Sequence, residues 1–252
     1  LHAQSEGRAR GYTYRMDALR LMAHEPLLML GIDLGLGPFA DQRIDFWQES
    51  FVPATLEAVV GQIKVATAGG TSAPLVMTST VLAKGHIEEP PALPPDLRWP
   101  FLILGVALFA ALLWLGERRA VTARIALATF ASVFELFCAL GGILLLLLWF
   151  GTAHRAAWRN ENLFLLNPLC LLLVPSWLGA ARMRWRVRRA TIVVAWLIAF
   201  LAAFALFSKI LPWFTQANLQ WIVLFLPIHL ALAFVASNSY HPRPTVPSKG
   251  KA

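Results

Sequence analysis

The chain has 252 residues, of which 58% are hydrophobic and only 14% are charged, against about 25% charged residues in a typical soluble domain. This composition argues against a soluble globular protein and favours an integral membrane protein. The formal net charge is +8, but residues 97–252 carry fifteen Lys and Arg against three Asp and Glu, largely in short loops between apolar runs. Membrane topology explains these basic residues better than nucleic-acid binding does, and no nucleic-acid partner is predicted.

The N-terminal segment, residues 1–87, is predicted to be a partial α+β periplasmic segment that precedes the membrane region. Because the chain begins with Leu1, we expect this segment to be the C-terminal part of a domain in a longer protein. Four prolines between 88 and 96 predict a stiff linker over residues 88–98. The elements predicted in the segment are helices over 14–22 and 55–64, a Gly- and Pro-rich loop over 31–40 and a strand over 75–82.

Five apolar runs follow, and each approaches or reaches the roughly 20 residues that a helix needs to cross a bilayer. Five such runs leave too little polar surface for a soluble protein. We therefore predict a mainly α fold with a five-helix transmembrane bundle over residues 99–237 and a cytoplasmic tail over 238–252. The five runs cover residues 99–116, 125–150, 163–181, 191–211 and 219–237.

Basic residues predict the orientation of this bundle, because cytoplasmic loops are enriched in Lys and Arg. The opposite side of the bundle carries Arg155, Arg159 and Lys209. We therefore predict a multi-pass protein of the bacterial inner (cytoplasmic) membrane, with the N-terminal segment and the loop around His154 in the periplasm. The eleven basic residues of the cytoplasmic side are Arg118, Arg119, Arg124, Arg182, Arg184, Arg186, Arg188, Arg189, Arg243, Lys249 and Lys251.

The loop between the second and third apolar runs is the main candidate site. His154 is a candidate general base, proton shuttle or metal ligand, since an imidazole titrates near neutrality, or else an ordinary interfacial histidine. Arg155, Trp158 and Arg159 follow it, and two arginines with a tryptophan at a membrane surface suit a lipid phosphate and its head group. This loop is therefore predicted to position a lipid or another substrate.

The start of the third run adds further polar candidates. Asn160, Glu161 and Asn162 suit a helix N-terminus, either as caps or as part of an anion site at unpaired backbone N–H groups. Asn167 precedes Pro168, which removes a backbone donor and frees a carbonyl. We expect Asn167 to face the bundle interior, where it either hydrogen-bonds a neighbouring helix or serves the site directly.

Glu135 and His229 are ionisable positions inside apolar runs, and such positions mark functional sites by default. A structural or protonated role is favoured for Glu135, which is expected to pair with His229, whereas Lys209 is expected to snorkel. No His-Glu-x-x-His or Cys-x-x-Cys spacing and no phosphate-binding Gly loop occurs, so neither a metal nor a cofactor is predicted. Cys138 and Cys170 lie in apolar runs, where burial disfavours a reactive thiolate.

Several segments resemble Lnb-type bacterial membrane proteins. Residues 24–41 and 47–56 resemble the end of their periplasmic domain. The resemblance covers roughly residues 20–237, and its most specific part is the pattern of Asn160–Glu161–Asn162 followed by Asn167–Pro168, with His154 ahead. In addition, residues 158–169 resemble the loop of the Lnb five-helix membrane domain, and residues 216–220 and 226–233 resemble its last helix.

The Lnb name is attached to lipoprotein N-acyltransferases, so the resemblance implies transfer of a phospholipid acyl chain to the N-terminal cysteine of a diacylated lipoprotein. The family's catalytic Cys and His lie earlier in the periplasmic domain, and residues 1–96 contain no cysteine. Two expectations follow: an acyltransferase whose catalytic part lies outside this chain, or a copy without that activity. The alternative is a non-catalytic membrane anchor for a periplasmic domain. A small transporter is disfavoured, because no internal repeat and no paired broken helices are detected.

Overall fold

The computed structural model describes residues 10–67, 69–83, 88–182, 185 and 187–239. The described chain is mainly helical, as predicted, and it divides into two units. The N-terminal unit comprises Leu1–Pro95 with Arg155–Ala157, and the membrane unit comprises Asp96–His154 with Trp158–Ala252. The predicted basic positions Arg184, Arg186, Arg243, Lys249 and Lys251, and most of the predicted tail, lie outside the described residues.

The N-terminal unit contains α1 (Tyr14–Leu21), α2 (Pro26–Gly35) and α3 (Pro53–Gln62). Helices α1 and α3 confirm the helices predicted in these regions. The loop predicted over 31–40 is wrong in its first half, because α2 continues to Gly35. Pro26 starts this helix favourably, and the apolar run that follows outweighs the low helix propensity of glycine.

The single two-stranded sheet in the described residues is formed by β1 (Lys64–Ala66) and β2 (Ser72–Pro74). The strands are antiparallel, with Lys64 opposite Pro74. The strand predicted over 75–82 is wrong. The paired strand is formed by residues 72–74 instead, and the Leu75 N–H extends the pairing with a hydrogen bond to the Ile63 carbonyl at 2.8 Å, but residues 76–82 have no strand assignment.

A buried arginine organises the region between α1 and the end of α2. The Arg15 guanidinium pairs with Asp33 at 2.6 Å and with Asp41 at 2.8 Å, and it also donates to the Leu36 carbonyl at 2.8 Å. Burial alone would lower the pKa of Arg15, but the hydrogen bonds and charges of Asp41 and Asp33 raise it above its usual value. Arg15 therefore stays charged and pairs with both carboxylates.

The membrane unit contains four long apolar helices and a short one among its described residues. By length and composition, the four long helices could each cross a membrane. Helix α5 has 31 residues and is about 46 Å long at 1.5 Å per residue, so tilt would accommodate it in a hydrocarbon core of about 30 Å. The helices are α4 (Arg98–Glu117), α5 (Val121–Gly151), α6 (Val174–Ala180), α7 (Arg189–Phe207) and α8 (Leu219–Asn238).

The third predicted span is not a continuous helix. It forms two 3-10 helices, Glu161–Phe164 and Pro168–Leu172, and then the seven-residue helix α6. Pro168 lacks a backbone donor, and a residue that precedes proline is disfavoured in the helical region. Asn167 accordingly has an extended conformation, with φ −106° and ψ 126°. We call residues 161–180 the broken segment.

Two glycines allow close packing in the membrane unit. A Cβ atom at Gly142 of α5 would lie 2.2 Å from the Leu166 carbonyl oxygen of the broken segment. A Cβ atom at Gly105 of α4 would lie 2.4 Å from the Val223 carbonyl oxygen of α8. Any larger residue would push these backbones apart, so the two glycines set how closely the broken segment follows α5 and how closely α4 follows α8.

Candidate functional site

Thr152 ends α5 and organises the polar stretch that follows. Its hydroxyl donates to the Leu148 carbonyl at 2.7 Å and accepts from the backbone N–H of His154 at 3.2 Å. The indole N–H of Trp158 donates to the Thr152 carbonyl at 3.0 Å. This hydrogen bond fixes the indole of Trp158, which is half-buried. The predicted site residue His154 is exposed.

Arg159 is exposed and adopts a left-handed backbone conformation, with φ 55°. Among the described residues it is the only non-glycine residue with a positive φ. This conformation costs about 1–2 kcal/mol for a residue with a Cβ atom, so the surrounding contacts must stabilise it. The next residues of the chain supply such contacts, since Asn160, Glu161 and Asn162 are all buried.

Arg155 belongs to the N-terminal unit, whereas Arg159 belongs to the membrane unit. The Arg155 guanidinium carbon lies 5.1 Å from the ring centroid of Phe39, a cation–π contact. Beside it, the Gly37 N–H donates to the Ala156 carbonyl at 2.7 Å. Arg155 therefore has a packing role in its own unit, and the shared site with Arg159 remains a prediction.

A group of buried polar side chains lies at the start of the broken segment. Five of its six members are buried, and the sixth, Lys209, has a side chain that is 24% exposed. Its members come from the broken segment and the residue before it, from the 3-10 helix Ser208–Ile210 that follows α7, and from the residues just before α8. We call this group the polar cluster: Asn160, Glu161, Asn162, Lys209, Gln216 and Asn218.

Glu161 is the central residue of the polar cluster. Its backbone N–H donates to Gln216 Oε1 at 2.7 Å, and the Gln216 N–H donates back to Glu161 Oε1 at 3.0 Å. The Lys209 ammonium pairs with Glu161 Oε2 and also donates to the Gln216 carbonyl at 2.8 Å. Lys209 was expected to snorkel towards solvent, but the structure instead uses it to neutralise a buried carboxylate.

The asparagines complete the polar cluster. Asn160 Oδ1 accepts from the Asn162 N–H at 2.9 Å and from Gln216 Nε2 at 3.1 Å, and Asn218 Nδ2 donates to Asn162 Oδ1 at 2.8 Å. The predicted capping role of Asn160 is thus confirmed. The N–H groups of Glu161 and Asn162 donate within the cluster, so the predicted anion site at this helix start has no support from the geometry.

Asn167 acts as a second cap, in the middle of the broken segment. Its Oδ1 accepts from the Leu169 N–H at 2.9 Å. In a continuous helix that N–H would donate to the Leu165 carbonyl, and Pro168 has no N–H to offer instead. The Leu165 carbonyl oxygen is thereby left for His229, whose Nε2 lies 3.0 Å away.

A second group of polar residues is buried among the membrane helices. One ligand atom each from Glu135, Cys170 and His229 lies within 4.8 Å of the other two. The Cys138 thiol is within hydrogen-bonding range of Cys170 and His229. We call Glu135, Cys138, Cys170 and His229 the Cys–His–Glu cluster.

Glu135 and His229 lie near each other in this cluster, but the His229 Nε2 atom contacts the Leu165 carbonyl, and a direct pair between the two side chains remains a prediction. The two cysteines had been assigned no role. Cys170 lies 32 residues from Cys138 and 59 from His229, so no local spacing could reveal that they meet. The sequence signal that could have revealed the cluster is the rarity of polar and thiol side chains inside the second, third and fifth apolar runs. Such side chains tend to face one another in the interior of a bundle.

Comparison with known proteins identifies the membrane domain of the chain. Searches among curated proteins and among solved structures found no match. The family model described as the Lnb transmembrane domain matches residues 98–236, more than half of the chain. That match begins at the first residue of α4 and ends two residues before the end of α8. The chain therefore belongs to the Lnb family of membrane proteins.

Proposed function

We propose that this chain is the membrane part of a bacterial lipoprotein N-acyltransferase, and that Trp158 and Arg159 position its lipid substrate. The proposal takes its reaction class from the resemblance to Lnb acyltransferases. The nucleophile of the reaction lies upstream of this chain in the proposal, since residues 1–96 contain no cysteine. The bundle then contributes lipid access, orientation and a charged contact for the head group.

The exposed, left-handed Arg159 is the observation that carries the proposal. A guanidinium group binds phosphate through two parallel hydrogen bonds, which makes it well suited to a phospholipid head group. The backbone conformation of Arg159 is unfavourable, and backbone strain of this kind concentrates at functional positions. The backbone N–H groups that follow it are engaged in the polar cluster, so the arginine side chain is the anion-binding group that remains in this stretch.

The surroundings of Arg159 support a positioning role. Trp158 offers an apolar face, and its indole N–H is already hydrogen-bonded to Thr152, which suits the boundary between acyl chains and head groups. The polar cluster begins at the next residue and holds the chain by buried hydrogen bonds. A rigid support of this kind lowers the entropy that a site loses when it orders a substrate.

The proposed orientation places this stretch in the periplasm. Two spans, α4 and α5, separate the N-terminal unit from residue 152, so both ends of that pair emerge on one side of the membrane. The connections after α4 and after α6 carry the basic residues that favour the cytoplasm, including Arg118, Arg119 and Arg188. A phospholipid donor in the outer leaflet would then reach Arg159 without crossing the bilayer.

Substitution of Arg159 in the intact protein, with its upstream part, tests the proposal. We expect Arg159→Ala and Arg159→Gly both to lower lipoprotein N-acylation at least about tenfold, the loss that corresponds to 1.4 kcal/mol of binding. Glycine also relieves the backbone strain, so a matching loss in both variants assigns the effect to the guanidinium. Acylation is measured by mass spectrometry of the N-terminal lipopeptide, with expression checked by immunoblot.

Arg119→Ala is the matched control, because Arg119 is an exposed arginine on the opposite side of the proposed bundle. Its N-acylation should equal that of the wild type. Full activity in both Arg159 variants would contradict the positioning role and would favour the alternative, a bundle that only anchors a periplasmic domain. Such an anchor has no need of the Trp158 and Arg159 side chains.

A further inference from the structure

The Cys–His–Glu cluster combines groups that rarely meet without a partner inside a membrane protein. Glu135 and Cys138 come from α5, Cys170 from the broken segment and His229 from α8. All four are buried, with at most 2% exposure. Side chains of such different chemistry from three separate segments converge on one point, which is the arrangement of a ligand set and not of an apolar core.

An independent observation is the unsatisfied carboxylate. The Oε2 atom of Glu135 is buried and has no hydrogen-bond partner among the described residues. Leaving a buried carboxylate oxygen unpaired is costly, and no Lys or Arg among the described residues forms a salt bridge with Glu135 as Lys209 does with Glu161. A bound cation would satisfy this oxygen.

The orientation of His229 points to the same conclusion. Its Nε2 faces the Leu165 carbonyl at 3.0 Å, which leaves Nδ1 as the nitrogen with a lone pair to offer. Histidines that bind a metal usually donate their other N–H group to a backbone carbonyl or a carboxylate, which fixes the tautomer. The Leu165 carbonyl is available for this purpose because Asn167 binds the Leu169 N–H.

We propose that Glu135, Cys170 and His229 bind a zinc ion inside the bundle. Sulfur, nitrogen and carboxylate oxygen together are a typical ligand set for Zn²⁺, and the separations of up to 4.8 Å need only small side-chain movements to close around an ion. One thiolate, one carboxylate and one neutral imidazole balance the double charge of the ion. A site without net charge is the one that a low-dielectric membrane interior tolerates best.

Cys138 has a supporting role in this site. Its side chain interacts with Cys170 and His229, so it lies directly beside two of the proposed ligands. A neutral Cys138 keeps the charge balance intact. Zinc held in this way ties α5, the broken segment and α8 together at one point, and this coupling is independent of the proposed acyltransferase activity.

Metal analysis of the full chain tests the proposal. The protein is purified in detergent with a tag that contains no histidine, and zinc is measured by mass spectrometry against protein from amino-acid analysis. We expect about one zinc per chain in the wild type, and less than about a tenth of that in Cys170→Ala and His229→Gln. His154→Gln, which removes an exposed histidine outside the cluster, should keep its zinc.

A measurement on the wild type keeps the test decisive if the cluster variants do not fold. After zinc is exchanged for cobalt, a Cys170 ligand produces a thiolate-to-cobalt charge-transfer band in the near ultraviolet. Metal should also slow alkylation of the cysteines relative to the chelator-treated protein, because the thiolate is then occupied. The proposal is overturned if the wild type contains no zinc and shows no cobalt band. It is also overturned if the intact mass lacks two hydrogens, which would reveal a Cys138–Cys170 disulfide.

Discussion

The polar cluster and the Cys–His–Glu cluster are both buried in the membrane unit, yet they satisfy their charges in different ways. In the polar cluster, the Glu161 carboxylate has Lys209 on one oxygen and the Gln216 N–H on the other. In the Cys–His–Glu cluster, one oxygen of Glu135 has no hydrogen-bond partner among the residues that the structure describes. The first cluster is complete as a charged structure, whereas the second requires a cation to become one.

This difference separates stabilisation from binding. A buried carboxylate that already has a charged partner gives little reason to infer a bound ligand, because its charge is balanced within the protein. Removing either partner leaves the other buried without a counter-charge. A buried carboxylate with an unpaired oxygen beside a thiol and an imidazole has an unused capacity for a cation. The stability of variants in the two clusters should therefore depend differently on zinc.

Lys209→Met should have the largest effect. The carboxylate of Glu161 would remain buried with only backbone N–H support from Gln216, and breaking a buried ion pair typically costs about 3–5 kcal/mol. We expect the lower end of that range, about 3 kcal/mol in the free energy of unfolding, because Lys209 is partly exposed. SDS titration in mixed micelles measures the loss, which should be the same with and without zinc.

The double variant Lys209→Met with Glu161→Gln is the control for this prediction. A neutral amide in place of the carboxylate removes the unpaired charge, so the double variant should recover more than half of the lost stability. A double variant as unstable as the single one would show that the ion pair is not the source of the effect.

Gly142→Ala should have the next largest effect, because it separates the broken segment from α5 without altering a cluster side chain. The new Cβ atom would lie 2.2 Å from the Leu166 carbonyl oxygen, and overpacking of this kind costs about 1–3 kcal/mol. The zinc content should fall as well, since Cys170 follows Leu166 by four residues in the same broken segment. Gly151→Ala is the matched control on the same helix, because its Cβ atom would meet no atom within 4 Å.

Asn160→Ala should lower the free energy of unfolding by about 1–2 kcal/mol, the usual cost of losing a cap and leaving buried donors unpaired. The Asn162 N–H and Gln216 Nε2 would both lose their acceptor. Zinc content should not change, because the described hydrogen bonds of the Asn160 side chain go to Asn162 and Gln216, which lie outside the Cys–His–Glu cluster. A fall in zinc equal to that of Gly142→Ala would show that the two clusters are one cooperative unit.

The sequence predicted the membrane helices well and the third span poorly, for one physical reason. Hydropathy records the cost of exposing a segment to water, and all five runs are apolar enough to prefer a membrane. It does not record backbone hydrogen bonding, which Asn167, Pro168 and Pro175 interrupt in the third run. The prolines are visible in the sequence. Their effect depends on distant neighbours such as His229, which binds the carbonyl oxygen that the interrupted helix leaves free.

The candidate site was predicted in composition but not in arrangement. Asn160 was predicted as a cap because capping is a local interaction, within reach of sequence analysis. Lys209 and Gln216 joined Glu161 from 48 and 55 residues away, and only tertiary packing brings them together. The same is true of Cys170 and His229, so the proposed zinc site carries no local motif.

Glu135→Gln should have the smallest effect on the metal-free protein and the clearest dependence on zinc. In chelator, the variant exchanges a carboxylate with one unpaired oxygen for a neutral amide of the same shape, so its free energy of unfolding should not fall below that of the wild type. With zinc in excess, the wild type gains stability by mass action, whereas the variant has lost a ligand and gains less. The gap between the two proteins should therefore open only when zinc is added. Glu161→Gln, the corresponding change in the polar cluster, should lower stability equally in both conditions, because its partner is Lys209 and not an ion. If Glu135→Gln instead destabilised the chelated protein as much as the zinc-treated one, Glu135 would be a structural residue like Glu161, and the distinction between the two clusters would be lost.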